Sequence, residues 1–202
     1  MKPARPLLLI AAMLVLLPAD ADAQRRHRRQ SLNPWSFAPY AGVFKDAYDI
    51  SADGENTGWM VGFRVGYAAG ARARLLANVG YAESDDVAAD PLDFPRNVYD
   101  NQYIITTGGA EYDIIPGETS VALGVELGGL WREVALDHTI GAPAPGDLAE
   151  SGYSFNFTVV PGLTLRHAFS ARSALELALR DFILPDDEVE HSPALTVGMR
   201  FR

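Results

Sequence analysis

The sequence contains no cysteine. No disulfide can hold the fold, and no thiolate is available as nucleophile or metal ligand, so stability has to come from packing and backbone pairing. An exported chain of this length can bury enough surface without disulfides, and export stays open. A second lack is of long apolar runs. After residue 23 nothing approaches the roughly 20 apolar residues of a membrane helix, so the mature chain is either soluble or enters a membrane by strands. A third lack is of basic surface. The net charge of −9 disfavours nucleic acid, whose phosphates need a positive partner. The one basic run, Arg25-Arg26-His27-Arg28-Arg29, reads as a solvated tail.

Catalytic and metal-binding patterns are equally sparse. The four histidines (His27, His138, His167 and His191) show no zinc spacing. The only adjacent base and hydroxyl, His191-Ser192, would point to opposite faces of a strand, so adjacency is no sign of a dyad. Asp186, Asp187, Glu188 and Glu190 lack EF-hand spacing and read as a solvated acidic loop. The expectation is no enzyme, no cofactor and no metal. No repeat of 20–50 residues appears either.

What is present begins with a targeting segment. Lys2 and Arg5 precede an apolar run from Leu7 to Leu17, Pro18 breaks it, and Ala21-Asp22-Ala23 supplies a small-x-small cleavage pattern. Residues 1–23 therefore read as a signal peptide, 24–36 as a basic tail and 37–202 as one domain. Cleavage removes two bases (Lys2, Arg5) and two acids (Asp20, Asp22), which leaves the net charge unchanged.

The domain is organised around Gly58 to Ala68. Trp59, Val61, Phe63, Val65 and Tyr67 form one apolar face with an aromatic ring at each end; Met60, Gly62, Arg64, Gly66 and Ala68 form the other. A period of two means a strand. The same alternation recurs in Phe37–Lys45, Arg72–Tyr81, Tyr99–Tyr112, Ser120–Arg132, Tyr153–Arg166, around Leu175-Leu177-Leu179, and in Ala194–Phe201. Pro39 is expected near the start of its strand, and Pro161-Gly162 is expected to form a bulge, because proline forfeits a ladder hydrogen bond. The eight strands are joined by connections that alternate between long and short. The long ones, after strands one, three, five and seven, gather most of the acids, among them Asp46, Glu83, Asp85, Asp86, Asp137, Asp181 and Glu190.

Alternation by itself also fits a soluble sandwich or barrel with its apolar face inward. Three features favour the inverse. The non-apolar faces carry Gly62, Gly66, Gly80, Gly124, Gly128, Gly162 and Gly198, which suits a cylinder barely wide enough for side chains. Their charges are few and of both signs, Arg64, Arg166, Arg180 and Arg200 against Glu111, Glu126 and Glu176, as required if they pair inside a lumen. The apolar faces end in Trp59, Tyr67, Tyr81, Trp131 and Tyr153, the aromatics that border a bilayer. Trp59 to Tyr67 spans about 26 Å along a strand, or about 20 Å of height when tilted. The expected fold is an all-β, eight-stranded antiparallel up-and-down transmembrane barrel.

With Tyr40-Ala41-Gly42-Val43, the 58–67 stretch, Val160-Pro161-Gly162-Leu163, Leu179-Arg180-Asp181-Phe182 and the final Leu195-Thr196-Val197-Gly198-Met199-Arg200-Phe201, the chain resembles the small outer-membrane β-barrel proteins, OmpA-like and opacity-type. The resemblance implies an outer-membrane barrel that anchors, stabilises the envelope or binds partners through its loops, without catalysis. It implies contact with outer-membrane lipid and lipopolysaccharide, and a last strand read by the insertion machinery. Here Phe201 is followed by Arg202, a departure from a closing aromatic. A monomer with a plugged lumen is expected, with an extracellular ligand reached through the loops. The rival functions are a lipid A-modifying enzyme and a soluble periplasmic ligand-binding barrel.

Overall fold

The computed structural model describes residues 33–46, 57–88, 96–140, 152–185 and 189–202, with the backbone alone at 85–88, 96–99, 135–140 and 189. The proposed signal peptide, the basic run and the tips of the long connections lie outside the described residues. Eight strands follow one another: β1 (Trp35–Lys45), β2 (Thr57–Ala68), β3 (Ala73–Ala88), β4 (Arg96–Ile115), β5 (Thr119–Ile140), β6 (Gly152–Ala168), β7 (Ser173–Pro185) and β8 (Val189–Phe201). Each pairs antiparallel with the next, and β8 returns to β1, so the sheet closes into a barrel with no free edge around its waist. Among the described residues there is no helix long and apolar enough to cross a membrane.

The alternation read from the sequence sets the register of the whole wall. Trp59, Val61, Phe63 and Tyr67 face outward and are exposed, while Met60 and Arg64 face inward and are buried. The same division holds on β3, β5, β7 and β8: Leu75, Val79, Leu123, Leu177 and Val197 lie outside, and Arg74, Asn78, Glu126, Glu176 and Thr196 inside. Strand four follows it too, with Ile104 outside and Tyr103, Thr107 and Glu111 inside. Such a wall places apolar side chains against the surroundings and polar ones in a core. A soluble barrel does the reverse.

Several boundaries differ from those expected. β3, β4, β5, β7 and β8 all run further than their apolar stretches. Glu83, Asp85 and Asp86 are ladder residues of β3, Asp137 belongs to β5, and Asp181, Glu190, His191 and Ser192 lie in the β7–β8 hairpin, where Pro185 pairs with Val189. The long acidic connection expected there shrinks to residues 186–188. Backbone hydrogen bonds do not need apolar side chains, so the ladder continues where the apolar pattern stops. Asp46, expected in a loop, is buried.

The prolines also behave differently. Pro39 is internal to β1, and Pro161 introduces no bulge, since the β5–β6 register runs through it unbroken. Instead the ladder lapses beside each. β1 pairs with β8 at Phe37 and again from Tyr40, and β6 pairs with β7 at Val159 and again at Gly162. A missing N–H is absorbed by omitting a rung, with no residue inserted.

Candidate functional site

The strands bring their inward side chains into three layers along the barrel axis. At the end of the short turns, five strands supply a continuous ionic cluster. Arg166 of β6 is its centre. It pairs with Glu111, with Asp113 at 2.7 Å and with Glu176 at 2.8 Å. Arg74 of β3 meets the same Glu111 at 3.1 Å and Asp113 at 2.7 Å, and Arg200 of β8 reaches Glu176 at 3.4 Å. Three guanidinium groups and three carboxylates are thus interleaved, all buried. Taking one such ion out of water costs several kcal/mol, and only multiple partners at this spacing offset that cost.

The middle layer is held by one ion pair and an aromatic ring. Arg64 donates to Glu126 at 3.3 Å. The other oxygen of Glu126 accepts from the Thr107 hydroxyl, which itself accepts from the Asn78 amide at 3.3 Å. Tyr40 lies along the inner wall so that its hydroxyl covers Gly62 and Gly80 on the two neighbouring strands; a Cβ on either glycine would collide with it. The Arg180 guanidinium rests on the Tyr40 ring, 4.9 Å from its centre. This contact stabilises a cation for which no ion pair with a carboxylate is found among the described residues.

The third layer, toward the long connections, is apolar. Phe44, Met60, Ala82, Tyr103, Ile105, Leu130, Val160, Phe182, Leu184 and Ala194 form one buried cluster inside the barrel. A cavity of about 20 Å³ remains among Phe44, Met60, Leu130 and Phe182, room for about one water. Above it Asp46 accepts from the Tyr103 hydroxyl at 2.6 Å, from Asn101 at 3.3 Å and from Ser84, and Arg132 donates to Asn101 at 2.9 Å. The lumen is therefore polar only in part.

On the outside, rings collect at both rims. Trp59 packs on Tyr81 with centroids 5.5 Å apart, and Trp131 on Phe155 at 5.0 Å, at the rim of the long connections. The Tyr81 hydroxyl donates to Glu83 at 3.0 Å and the Tyr153 hydroxyl to Glu133 at 2.7 Å. At the opposite rim Tyr67 meets Trp35 edge-on at 5.0 Å. An apolar ring body with its polar tip turned to water is the arrangement of side chains at a membrane–water boundary.

Of the lumen residues singled out from the sequence, Arg166, Glu111, Glu176 and Arg200 come together in one cluster, Arg64 and Glu126 in a second contact, and Arg180 stands apart on Tyr40. Sequence reasoning left out Arg74, Asp113, Asp46, Tyr40 and Trp35. Arg74 has the right parity on β3. Asp113 has the parity of Glu111 but lies one residue beyond the Tyr112 end expected for strand four, whereas β4 runs to Ile115. Trp35, read as tail from the sequence, opens β1. His191 and Ser192 point to opposite faces: the His191 ring bonds Asp181 at 2.7 Å on the outside, while the Ser192 hydroxyl donates inward to the Lys45 carbonyl. His167 bonds Thr119 at 2.9 Å near the turns. Among the described residues, no group of three or more histidines and carboxylates could hold a metal ion.

No protein-family model matches the sequence, and no curated protein matches it. Solved structures do match the fold. Neisserial surface protein A (NspA) superimposes with a TM-score of 0.53 at 16% identity, over 83% of this chain and 95% of that one. The outer membrane protein OprG from Pseudomonas aeruginosa gives a TM-score of 0.53 at 11% identity, over 85% of this chain and 97% of that one. This chain thus shares with these two proteins, over almost their whole length, the fold of an outer-membrane β-barrel: here a closed antiparallel wall of eight strands.

Proposed function

We propose that the protein is an integral outer-membrane barrel with a structural or interactive role, its wall set in lipid, its lumen plugged and its acidic connections facing outward. One observation supports this above the rest: Arg166, paired with three carboxylates, is 1% exposed inside the barrel, while every strand also turns large apolar side chains outward, among them Val43, Phe63, Val79, Ile104, Leu123, Phe155, Leu177 and Val197. In water that surface would drive aggregation; in a bilayer it is the solvated face. Lipid and lipopolysaccharide are then the immediate partners. The insertion machinery would meet β8 through Phe201, which faces outward at the turn end. The working unit is a monomer, because closure leaves no strand edge around the waist to be completed by a second copy.

Two measurements test this reading. The chain should co-fractionate with the outer membrane and migrate faster on SDS gels before boiling than after it. Release in soluble form without detergent would reject the reading. The plugged lumen is tested in planar bilayers, where the ion clusters and the Phe44–Leu130–Phe182 layer should leave negligible conductance. Large regular openings would show a pore instead. Substituting both Leu130 and Phe182 by alanine should raise conductance if that layer is the tightest barrier.

A further inference from the structure

One buried charge in the lumen has no counter-charge. Arg180 points inward from β7 and is 4% exposed. Neither its Nε nor its Nη1 meets a hydrogen-bond acceptor among the described residues. The other arginines below the apolar layer are placed differently: Arg64, Arg74, Arg166 and Arg200 each have a carboxylate oxygen within 3.4 Å. No described carboxylate is left for Arg180. The two oxygens of Glu126 serve Arg64 and the Thr107 hydroxyl. Glu176 stands four residues back on the same strand, about 13 Å along it, and its Oε1 already serves Arg166 and Arg200. Asp181, the next residue, turns to the outer face and bonds His191. Asp46 lies beyond the Phe44–Leu130–Phe182 layer and bonds Tyr103 there. In the middle layer two cations, Arg64 and Arg180, thus face one carboxylate, Glu126, and one positive charge is left over. The Tyr40 ring, 4.9 Å from the guanidinium carbon, meets the flat side of the group. It leaves unanswered the N–H bonds of Nε and Nη1, which point outward in the guanidinium plane.

We infer that the lumen binds one small monovalent anion of the halide class against the in-plane N–H groups of Arg180. A guanidinium taken out of water is costly to bury without a partner that answers both its charge and its donors. An anion answers both, whereas a water answers only the donors. The apolar layer on one side and the charge-balanced Arg166 cluster on the other keep bulk solvent from screening the charge, so the attraction acts at a low dielectric. One negative charge neutralises the layer; a dianion such as sulfate would leave a buried negative charge in its turn. The wall beside Arg180 is also built small. Its cross-strand partners are Gly162 on β6 and Ala194 on β8, and a Cβ on Gly162 would stand 3.4 Å from the Arg180 Cγ. With both ends of the site closed, the anion enters as the strands close around it.

The probe is bromide, compared with gluconate, which is too large for the site. The full chain and its Arg180→Met variant are refolded in micelles in sodium bromide or sodium gluconate at equal ionic strength, and unfolded with urea. Binding to the folded barrel alone should raise the folded-to-unfolded ratio of the wild type by 1 + [L]/Kd, about tenfold at roughly nine times Kd. Arg180→Met should show no such rise, and any action of bromide on the solvent or the outer wall is common to both proteins. Crystals of the wild type refolded in bromide should carry an anomalous peak in contact with Arg180 Nε or Nη1, and this measurement decides the matter alone if the variant does not refold. An equal response of both proteins to bromide, bromide peaks confined to the outer surface, or density at Arg180 without anomalous signal, as from water, would overturn the inference. The membrane reading would stand in each of those cases, since micelles do not test it.

Discussion

Replacing Arg166 by methionine is expected to destabilise the barrel by about 3–5 kcal/mol, as when one partner of a buried ionic network is removed. Arg166 reaches Glu111, Asp113 and Glu176 at once, and Arg74 and Arg200 cannot move to its place without abandoning contacts of their own. Methionine matches much of the volume, so the loss is chiefly that of a cation among three carboxylates, with little cavity cost. Urea unfolding in micelles, followed by the shift between fast and slow migrating forms, reads the change. Arg166→Lys should fall between the two, since it keeps the charge and loses the fork. The double variant Arg166→Met, Glu111→Gln should recover part of the loss, because one of the orphaned carboxylates is then neutral. A change below about 1 kcal/mol in Arg166→Met would mean that the cluster is hydrated and contributes little.

The second large effect is expected outside. Val79 is 58% exposed and pairs with Phe63, midway between Trp59 and Tyr67 on the neighbouring strand. On a soluble protein an arginine at so exposed a place would change stability by at most about 0.5 kcal/mol. At the midplane of a bilayer it should cost about 2–4 kcal/mol, because the guanidinium must be hydrated through the hydrocarbon. Val79→Arg thus separates lipid from water as the solvent of the wall. Folding into phosphatidylcholine vesicles, titrated with urea for the wild type and the variant, gives the difference. Equal stabilities would sink the membrane reading, whatever the shape of the barrel.

The two substitutions lie on opposite faces of the same sheet, and the sequence marked those faces unequally. The outer face was legible because lipid imposes one requirement on every outward position: apolar side chains at every second place, as on β2 from Trp59 to Tyr67. The strand ends were less legible. Glu83-Ser84-Asp85-Asp86 reads as loop because its side chains are polar, yet these residues continue the β3 ladder against β4. Pairing is a property of the backbone, and apolar patterning reports only how much of the wall lies in the apolar band. The prolines misled for a related reason. The sequence says that a donor is missing at Pro161, but not that its side of β6 is where the rungs to β7 lapse.

Sequence alone determined which residues face inward, that eight strands close an up-and-down wall, and that charges of both signs share the interior. These follow from a period of two and from the cost of an unpaired edge. The tertiary structure decided which inward residues meet. Arg74, Glu111 and Arg166 lie on three different strands, and their contact depends on the stagger of the barrel, which no local pattern encodes. Asp113 joins them because β4 runs past Tyr112 to Ile115, which keeps Asp113 on the inward face two residues after Glu111. The same stagger gathers Phe44, Leu130 and Phe182 into an apolar layer at one end of the lumen and leaves Arg180 on the ring of Tyr40. Parity is fixed by neighbouring peptide units, whereas the height of a side chain along the axis is fixed only when all eight strands have closed.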